Sequence, residues 1–303
     1  MSYPVKIDLH MHTVLSDGTD KPEEMPARVK EAGLELFSVT DHDSVTASGI
    51  LRGILRPEDP KFVSGAEFSC RDEQGKYHIL GYGFDPDSES IRELVGKGHG
   101  LRMKKVRMRL DFLRDRFGFD FPPEEIEKLL GLANPGKPHI GNLMVRYGFA
   151  ETKEAAIRDY IDKARIRSEY IRPEEAVSGI LGGGGIPILA HPIYGSGDQL
   201  IMGEEMDERL KRLIGFGIRG VEAFYSGFTE KMSSEMLAFA EKYDLLVTAG
   251  SDYHGSIKAV RLGDTGPGDP AEKAARLADF LAEALRRSTF SAVPERPDGR
   301  EGE

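Results

Sequence analysis

The chain of 303 residues contains a single cysteine, Cys70. No disulfide can form within it, and such usage suits a reducing cytosol, with Cys70 expected as a small buried apolar residue. It has no apolar run of about 18 residues, and its N-terminus has no basic segment followed by an apolar core, so neither membrane insertion nor export is supported. The expected location is cytoplasmic. Basic excess is also missing: 41 Lys and Arg stand against 51 Asp and Glu, a net charge of -10. That excludes a broad basic surface coating long nucleic acid, while leaving room for a local basic cluster that holds a phosphate. Repeats and low-complexity stretches are lacking apart from Gly182 to Gly185. That run ends a helix and enters a strand, the reverse of the strand-to-helix order of phosphate loops. What remains is an ordinary globular balance, 39% hydrophobic and 30% charged residues. The length fits one α/β barrel carrying an insertion.

Against this background the eight histidines are conspicuous, because most lie in short motifs flanked by Gly, Asp or Pro. The first is Asp8-Leu9-His10-Met11-His12-Thr13, followed by Ser16-Asp17-Gly18. Residues alternate faces in an extended chain, so His10 and His12 project to one side about 6–7 Å apart, within reach of one ion. Alone, such a pair fits two hydrogen-bonded surface histidines equally well. A helix with Met25, Val29 and Ala32 on one face follows and stops at Gly33. Leu36 to Thr40 is expected as a second buried strand, ending in Asp41-His42-Asp43. A helix of about ten residues from Ser44 leads to a third strand, Lys61 to Ala66, which delivers Glu67. A fourth, Lys76 to Tyr82, carries His78 beyond a turn at Gln74-Gly75.

From residue 88 to 172 the pattern predicts helices only, with Gly96, Gly98 and Gly100 weakening the first of them. Helices are expected from Phe121-Pro122-Pro123-Glu124, over Ile140 to Tyr147 and over Lys153 to Ile161. The α/β alternation resumes at Arg172-Pro173. Strands are expected at Ile186 to Ala190 (then His191), Gly220 to Phe224 (with Glu222 and Tyr225) and Leu245 to Ala249 (then Gly250-Ser251-Asp252-Tyr253-His254-Gly255). A last helix is expected over about Pro270 to Arg287, and Pro294 to Glu303 is polar and expected to be disordered. The domains are therefore 1–87 with 173–293 as a discontinuous barrel, 88–172 as an inserted helical lid, and 294–303 as a tail.

Six histidines and three carboxylates thus gather at strand ends: His10, His12, Asp17, His42, Glu67, His78, His191, Asp252 and His254. One ion with an open position takes three or four protein ligands, so nine provide for two or three ions. With no cysteine among them, the donor set suits Zn, Mn or Fe(II). These motifs, with Gly65-Ala66-Glu67, His78-Ile79-Leu80-Gly81-Tyr82 and Ala190-His191-Pro192, resemble the PHP (polymerase and histidinol phosphatase) family in order and strand context. Lys137-Pro138-His139 and the insertion resemble its stand-alone nucleotide-phosphatase branch. The resemblance implies a distorted (β/α)7 barrel with a trinuclear cluster. It implies His10, His12, Glu67 and Asp252 on one ion, Glu67, His78 and His191 on a second, and Asp17, His42 and His254 on a third. Glu67, His254 and Asp17 are the residues expected to be catalytic.

The chemistry such a cluster suits is hydrolysis of phosphate monoesters by a metal-bridging hydroxide. The expected substrates are small nucleotides, a nucleoside 5′-monophosphate or 3′,5′-bisphosphate. The alternatives are 5′-3′ exoribonuclease action on short RNA, and hydrolysis of a non-nucleotide metabolite such as histidinol phosphate. An amidohydrolase would need a metal-bridging lysine at a strand end, which the sequence does not place there. Within the basic run Arg102, Lys104, Lys105, Arg107 and Arg109, one or two residues are expected to face the site. Arg102, Lys137, His139 and Tyr225 are the candidate substrate contacts, with Lys137 and His139 equally suited to capping a helix. Tyr225 and Tyr253 could stack on a base. His99, between glycines, is expected to be exposed.

Overall fold

The computed structural model describes residues 6–166, 169–195, 199–268 and 275–287. The alternation read from the sequence is present. Strands β1 (Ile7–Asp8), β2 (Leu36–Phe37) and β3 (Lys61–Phe62) pair in parallel, with helices α1 (Met25–Glu31) and α2 (Thr46–Ile54) as the crossovers. A second sheet takes the order β4 (Gly65–Asp72), β5 (Gly75–Tyr82), β6 (Ile186–Leu189), β7 (Gly220–Tyr225) and β8 (Leu246–Gly250). Its first two pairings are antiparallel and its last two parallel. The two sheets approach at both sides. Leu9 N donates to Ala249 O at 3.0 Å and Met11 bridges Tyr253, while His42 bridges Glu67 and Asp43 N donates to Glu67 O at 2.9 Å. The loops after β1, β2, β6 and β8 are thereby gathered at one end of a mixed α/β fold.

Between β5 and β6 the described residues form helices, α3 (Glu89–Phe117), α4 (Pro123–Leu130), α5 (Lys137–Arg146), α6 (Lys153–Asp159) and then α7 (Pro173–Gly182), joined by turns and loops in which Ile171 makes a single bridge to Cys70. The main core, with Phe68, Ile79, Tyr82, Phe84, Phe224 and Phe280 fully or almost fully buried, includes Ile91 and Leu94 from the first turns of α3. A separate cluster joins Val106, Leu110 and Leu113 from its second half to Phe121, Ile140, Leu143 and Ile161. Each such fully buried side chain is worth about 1.5–3 kcal/mol. Helix α3 is thus shared by two cores. Helices α8 (Gly203–Phe216), α9 (Glu230–Lys242) and α10 (Ala275–Arg287) complete the outer layer. No helix among the described residues is long and apolar enough to cross a membrane.

Three expectations need correction. Gly96, Gly98 and Gly100 do not interrupt α3, which runs unbroken for 29 residues. Each glycine costs about 1 kcal/mol in a helix. Gly98, however, lets the helix press on the loop after β2, where an added β-carbon would lie 3.1 Å from Asp43 Cβ and 3.2 Å from Ile171 Cδ1. Packing of the helix outweighs its propensity. The expected strand over Lys61 to Ala66 breaks at Val63-Ser64, so Glu67 is the third residue of β4 rather than a residue past a strand end. His78 lies within β5, opposite Ser69, in the strand expected to carry it. His99 is half-buried. The expected helix start at Pro270, Val5 ahead of the first strand, and the tail Pro294 to Glu303 lie outside the described residues.

Candidate metal centre

Past β1 the chain stays extended, so His10 and His12 do point to one side, fully buried, with ring centroids 5.3 Å apart. Both face Glu67. Its Oε2 lies 3.4 Å from His10 Nε2, 3.2 Å from His12 Nε2 and 3.1 Å from His42 Nδ1. Its Oε1 lies 2.8 Å from His78 Nδ1 and 3.1 Å from His191 Nε2. One buried carboxylate is therefore ringed by five imidazoles. Asp252 Oδ1 sits 3.2 Å from His12 Nε2 and 3.4 Å from His254 Nδ1, and Asp17 Oδ1 sits 3.2 Å from His254 Nε2. All nine residues singled out by the motifs meet in one region.

Three triplets have ligand atoms within 4.8 Å of one another: His10, His12 and Glu67; His12, Asp17 and His254; His42, Glu67 and His78. This grouping differs from the partition the family resemblance implies, because His42 lies nearer Glu67 than Asp17, whose Oδ2 is 3.8 Å from His42 Nε2. His10 Nε2, His12 Nε2 and His42 Nδ1 are buried and make no hydrogen bond. Buried polar atoms without partners are costly, so three aimed at one carboxylate fit divalent cations held between them. The donors are imidazole and carboxylate, which suit borderline to hard ions.

The surrounding shell fixes this geometry. Glu222, fully buried in β7, accepts a hydrogen bond from His10 Nδ1 at 2.9 Å and from the backbone N–H of His191 at 2.7 Å. Gly250 permits that approach, since a β-carbon there would lie 2.2 Å from His10 Cβ and 2.7 Å from Glu222 Oε1. Asp8 accepts from the backbone N–H groups of His10, Ser251 and Gly263, and burial pushes its carboxyl up to about 6. Asp41 accepts from Thr13 N, Thr13 Oγ1 and Ser16 Oγ, closing the loop that bears His12 and Asp17. Tyr225 Oη and Lys258 Nζ both donate to Asp252 Oδ2, at 2.9 and 2.7 Å. His191 and Asp252 hold positive φ, 26° and 58°, the kind of strain that a rigid surround must sustain.

Electrostatics sort the imidazoles. Burial opposes charge on His12, but attraction from the carboxylates of Asp252 and Glu67 prevails and lifts it to about 9. His10 is raised as well: burial is outweighed there by Glu222, Glu67 and Asp252. For His42 burial wins, aided by repulsion from His12 and His78, and its value falls to about 3. Glu67 is held well below the carboxylate range by His78, His42 and His10 despite its burial.

Asp17, His42 and His78 form one end of a cavity of about 800 Å³ whose far wall is the helical segment. Arg102, Lys105 and Arg109 line it, spaced by three and four residues on one face of α3, whereas Lys104 pairs with Glu169 at 2.7 Å. Lys137 lines the cavity while paired with Asp162, and His139 Nδ1 accepts from Gly136 N at 3.2 Å, the capping arrangement. Arg102 donates to Asp43. Tyr225 supports Asp252 and is not part of the cavity lining, and the Tyr253 hydroxyl donates to Asp20. Nothing local in the sequence assigns a role to Glu222. Its partner His10 lies 212 residues away, so no local spacing could reveal the contact. For Asp8 and Asp41 the available signal is their place in the motifs that carry His10 and His42.

Comparison with known proteins follows the same lines. The chain is 27% identical over 263 residues to the phosphoribosyl 1,2-cyclic phosphate 1,2-diphosphodiesterase of Eggerthella lenta, covering 84% of this chain and 95% of that one. It is 27% identical over 276 residues to the 5′-3′ exoribonuclease Rnm of Salmonella typhimurium, covering 86% and 89%. It is 26% identical over 266 residues to the 3′,5′-nucleoside bisphosphate phosphatase of Chromobacterium violaceum, covering 82% and 87%. A solved structure from Bifidobacterium adolescentis, named as a metal-dependent phosphoesterase, superposes with a TM-score of 0.71 at 27% identity, covering 93% of this chain and 96% of that one. The family model for the PHP domain matches residues 8–291, and the chain belongs to that family.

Proposed function

We propose that this chain is a metal-dependent phosphoesterase that hydrolyses phosphate monoesters of small nucleotides, a nucleoside 5′-monophosphate or 3′,5′-bisphosphate. The observation that carries the reading is the convergence of buried, unpartnered imidazole nitrogens on Glu67 at one end of a cavity walled by Arg102, Lys105 and Arg109. The nine residues His10, His12, Asp17, His42, Glu67, His78, His191, Asp252 and His254 would hold two to three divalent ions, with Glu67 shared between neighbours. Bound there, such ions supply Lewis acidity to phosphoryl oxygens and lower the pKa of water toward neutrality.

The rest falls to the chain. Glu222, by accepting from Nδ1, leaves the Nε2 lone pair of His10 free toward Glu67, and Asp8 and Asp41 hold the loops that aim His10 and His12. Arg102, Lys105 and Arg109 draw an anionic substrate into the cavity and orient it, and a second phosphate would engage them together with Lys137. A cavity of about 800 Å³ lies in the range for nucleotide-sized ligands. Asp17, on the cavity lining, and His254, buried 3.2 Å from it, are the catalytic candidates with Glu67, acting through the ions they would hold beside the scissile ester. Two finer structural readings belong to the same proposal: the two sheets together form a distorted (β/α)7 barrel, and residues 88–172 act as a lid.

Exoribonuclease action on short 5′-phosphorylated RNA is the second reading, favoured by the Salmonella relative. Phosphate release from adenosine 5′-monophosphate, adenosine 3′,5′-bisphosphate and histidinol phosphate, set against mononucleotide release from 5′-phosphorylated oligonucleotides, each with Mn, Zn and Fe(II), separates the two. No release from any nucleotide by metal-loaded protein would sink the proposal.

A further inference from the structure

The helical segment touches the metal centre at one corner. Asn134, in the loop between α4 and α5, donates from Nδ2 to the backbone carbonyl of His42 at 3.2 Å. Arg102 on α3 donates from Nη2 to Asp43 Oδ2 at 2.7 Å. Asp43, at a positive φ of 51°, accepts from Ser69 N through its other oxygen, and its own N–H donates to Glu67 O. Gly98 brings the backbone of α3 against the Asp43 side chain. His42 is therefore held between sheet and helices, whereas the partners described for His10 and His12 all come from the sheets and their loops. His42 Nδ1 is one of the three buried nitrogens that make no hydrogen bond.

We propose that Asn134 and Arg102 are positioning residues for His42, so that the ion held by His42, Glu67 and His78 binds tightly only while the helical segment is docked on the loop after β2. The proposal rests on the metal-centre reading and adds that the segment walling the cavity also builds one of the ion sites. A non-Gly residue at positive φ keeps that conformation only while its surroundings impose it. Removing either contact frees the Asp43 loop to relax, and His42 moves with it. Outer-shell partners of metal ligands are typically worth a factor of 10–100 in affinity.

The test is Mn²⁺ binding by competition with a fluorescent chelator, with stoichiometry from native mass spectrometry. The wild-type chain is compared with Asn134→Ala, Arg102→Gln, Gly98→Ala, Gly100→Ala and His42→Ala. Gly98→Ala wedges α3 away from Asp43 while raising its helix propensity, so it probes the same contact without threatening the helix. Gly100 has nothing within 4 Å of a β-carbon and serves as the control. The expected result is one class of ion weakened at least tenfold in Asn134→Ala, Arg102→Gln and Gly98→Ala, matching the class lost in His42→Ala. The remaining ions and Gly100→Ala should bind as in wild type. Superimposable titrations, or equal weakening of every ion, would overturn the coupling and leave the metal centre standing. A wild-type chain that takes up no divalent ion would overturn both.

Discussion

Replacing Glu222 by Gln tests whether the outer shell sets the donor state of His10. The carboxylate accepts two hydrogen bonds, from His10 Nδ1 and from His191 N, and is fully buried. A carboxamide has one acceptor and one donor end, so it cannot serve both. If its oxygen keeps His191 N, its NH₂ faces His10 Nδ1 and forces the proton to Nε2, where the lone pair aimed at Glu67 is lost. The other orientation sets N–H against N–H at His191, whose φ is already strained. Either way the expected loss is 10–100-fold in affinity for the ion held by His10, His12 and Glu67, about 1.4–2.7 kcal/mol. The metal-free protein suffers separately. There His10 is raised above its ordinary value against the pull of burial, with Glu222 the foremost attraction. Losing that counter-charge should cost ~3 kcal/mol near neutral pH. Chelator competition reads the first effect and denaturant melts in EDTA read the second. Wild-type affinity combined with wild-type metal-free stability would refute the reasoning.

Metal affinity should rise with pH. In the metal-free chain His12 titrates at about 9, above the unfolded value near 6.5, so its contribution to stability is fully present below 6.5 and is lost as pH climbs through 9. That contribution amounts to ~3 kcal/mol, and binding an ion must expel the proton. Calorimetric titrations in buffers of different ionisation enthalpy at pH 7 should therefore register proton release, and no buffer dependence would contradict it. Gly100→Ala, in an exposed interior turn of α3, should stabilise the protein by about 0.5–1 kcal/mol in a thermal melt; a lower Tm would argue against the unbroken helix. Lys105→Ala with Arg109→Ala should raise KM at least tenfold for a 3′,5′-bisphosphate and much less for a 5′-monophosphate. An equal change for both would remove these residues from second-phosphate binding.

The cluster of candidate ligands was legible because its motifs are locally encoded. An extended His-x-His needs no knowledge of the fold to place two imidazoles together, and Asp-His or His-Pro after an apolar run marks a strand end. The sequence misplaced Glu67 past a strand end because neither residue of the break at Val63-Ser64 is Gly or Pro, whereas His78 stands inside the strand expected to carry it. The continuity of α3 was hidden because glycine propensity is a local quantity, whereas Gly98 answers to Asp43 and Ile171 from elsewhere in the chain. Glu222 was beyond reach for the same reason, since its role exists only once β7 lies beside the loop after β1.

Helix α3, with its first turns in the main core and its second half in the other, spans about 43 Å at the α-helical rise. It behaves as a single rigid strut passing through both cores. Neither core can melt alone without stripping partners from the strut that the other needs, so calorimetry should find one heat-absorption peak rather than two. A cut anywhere along α3 leaves two incomplete halves instead of two foldable pieces.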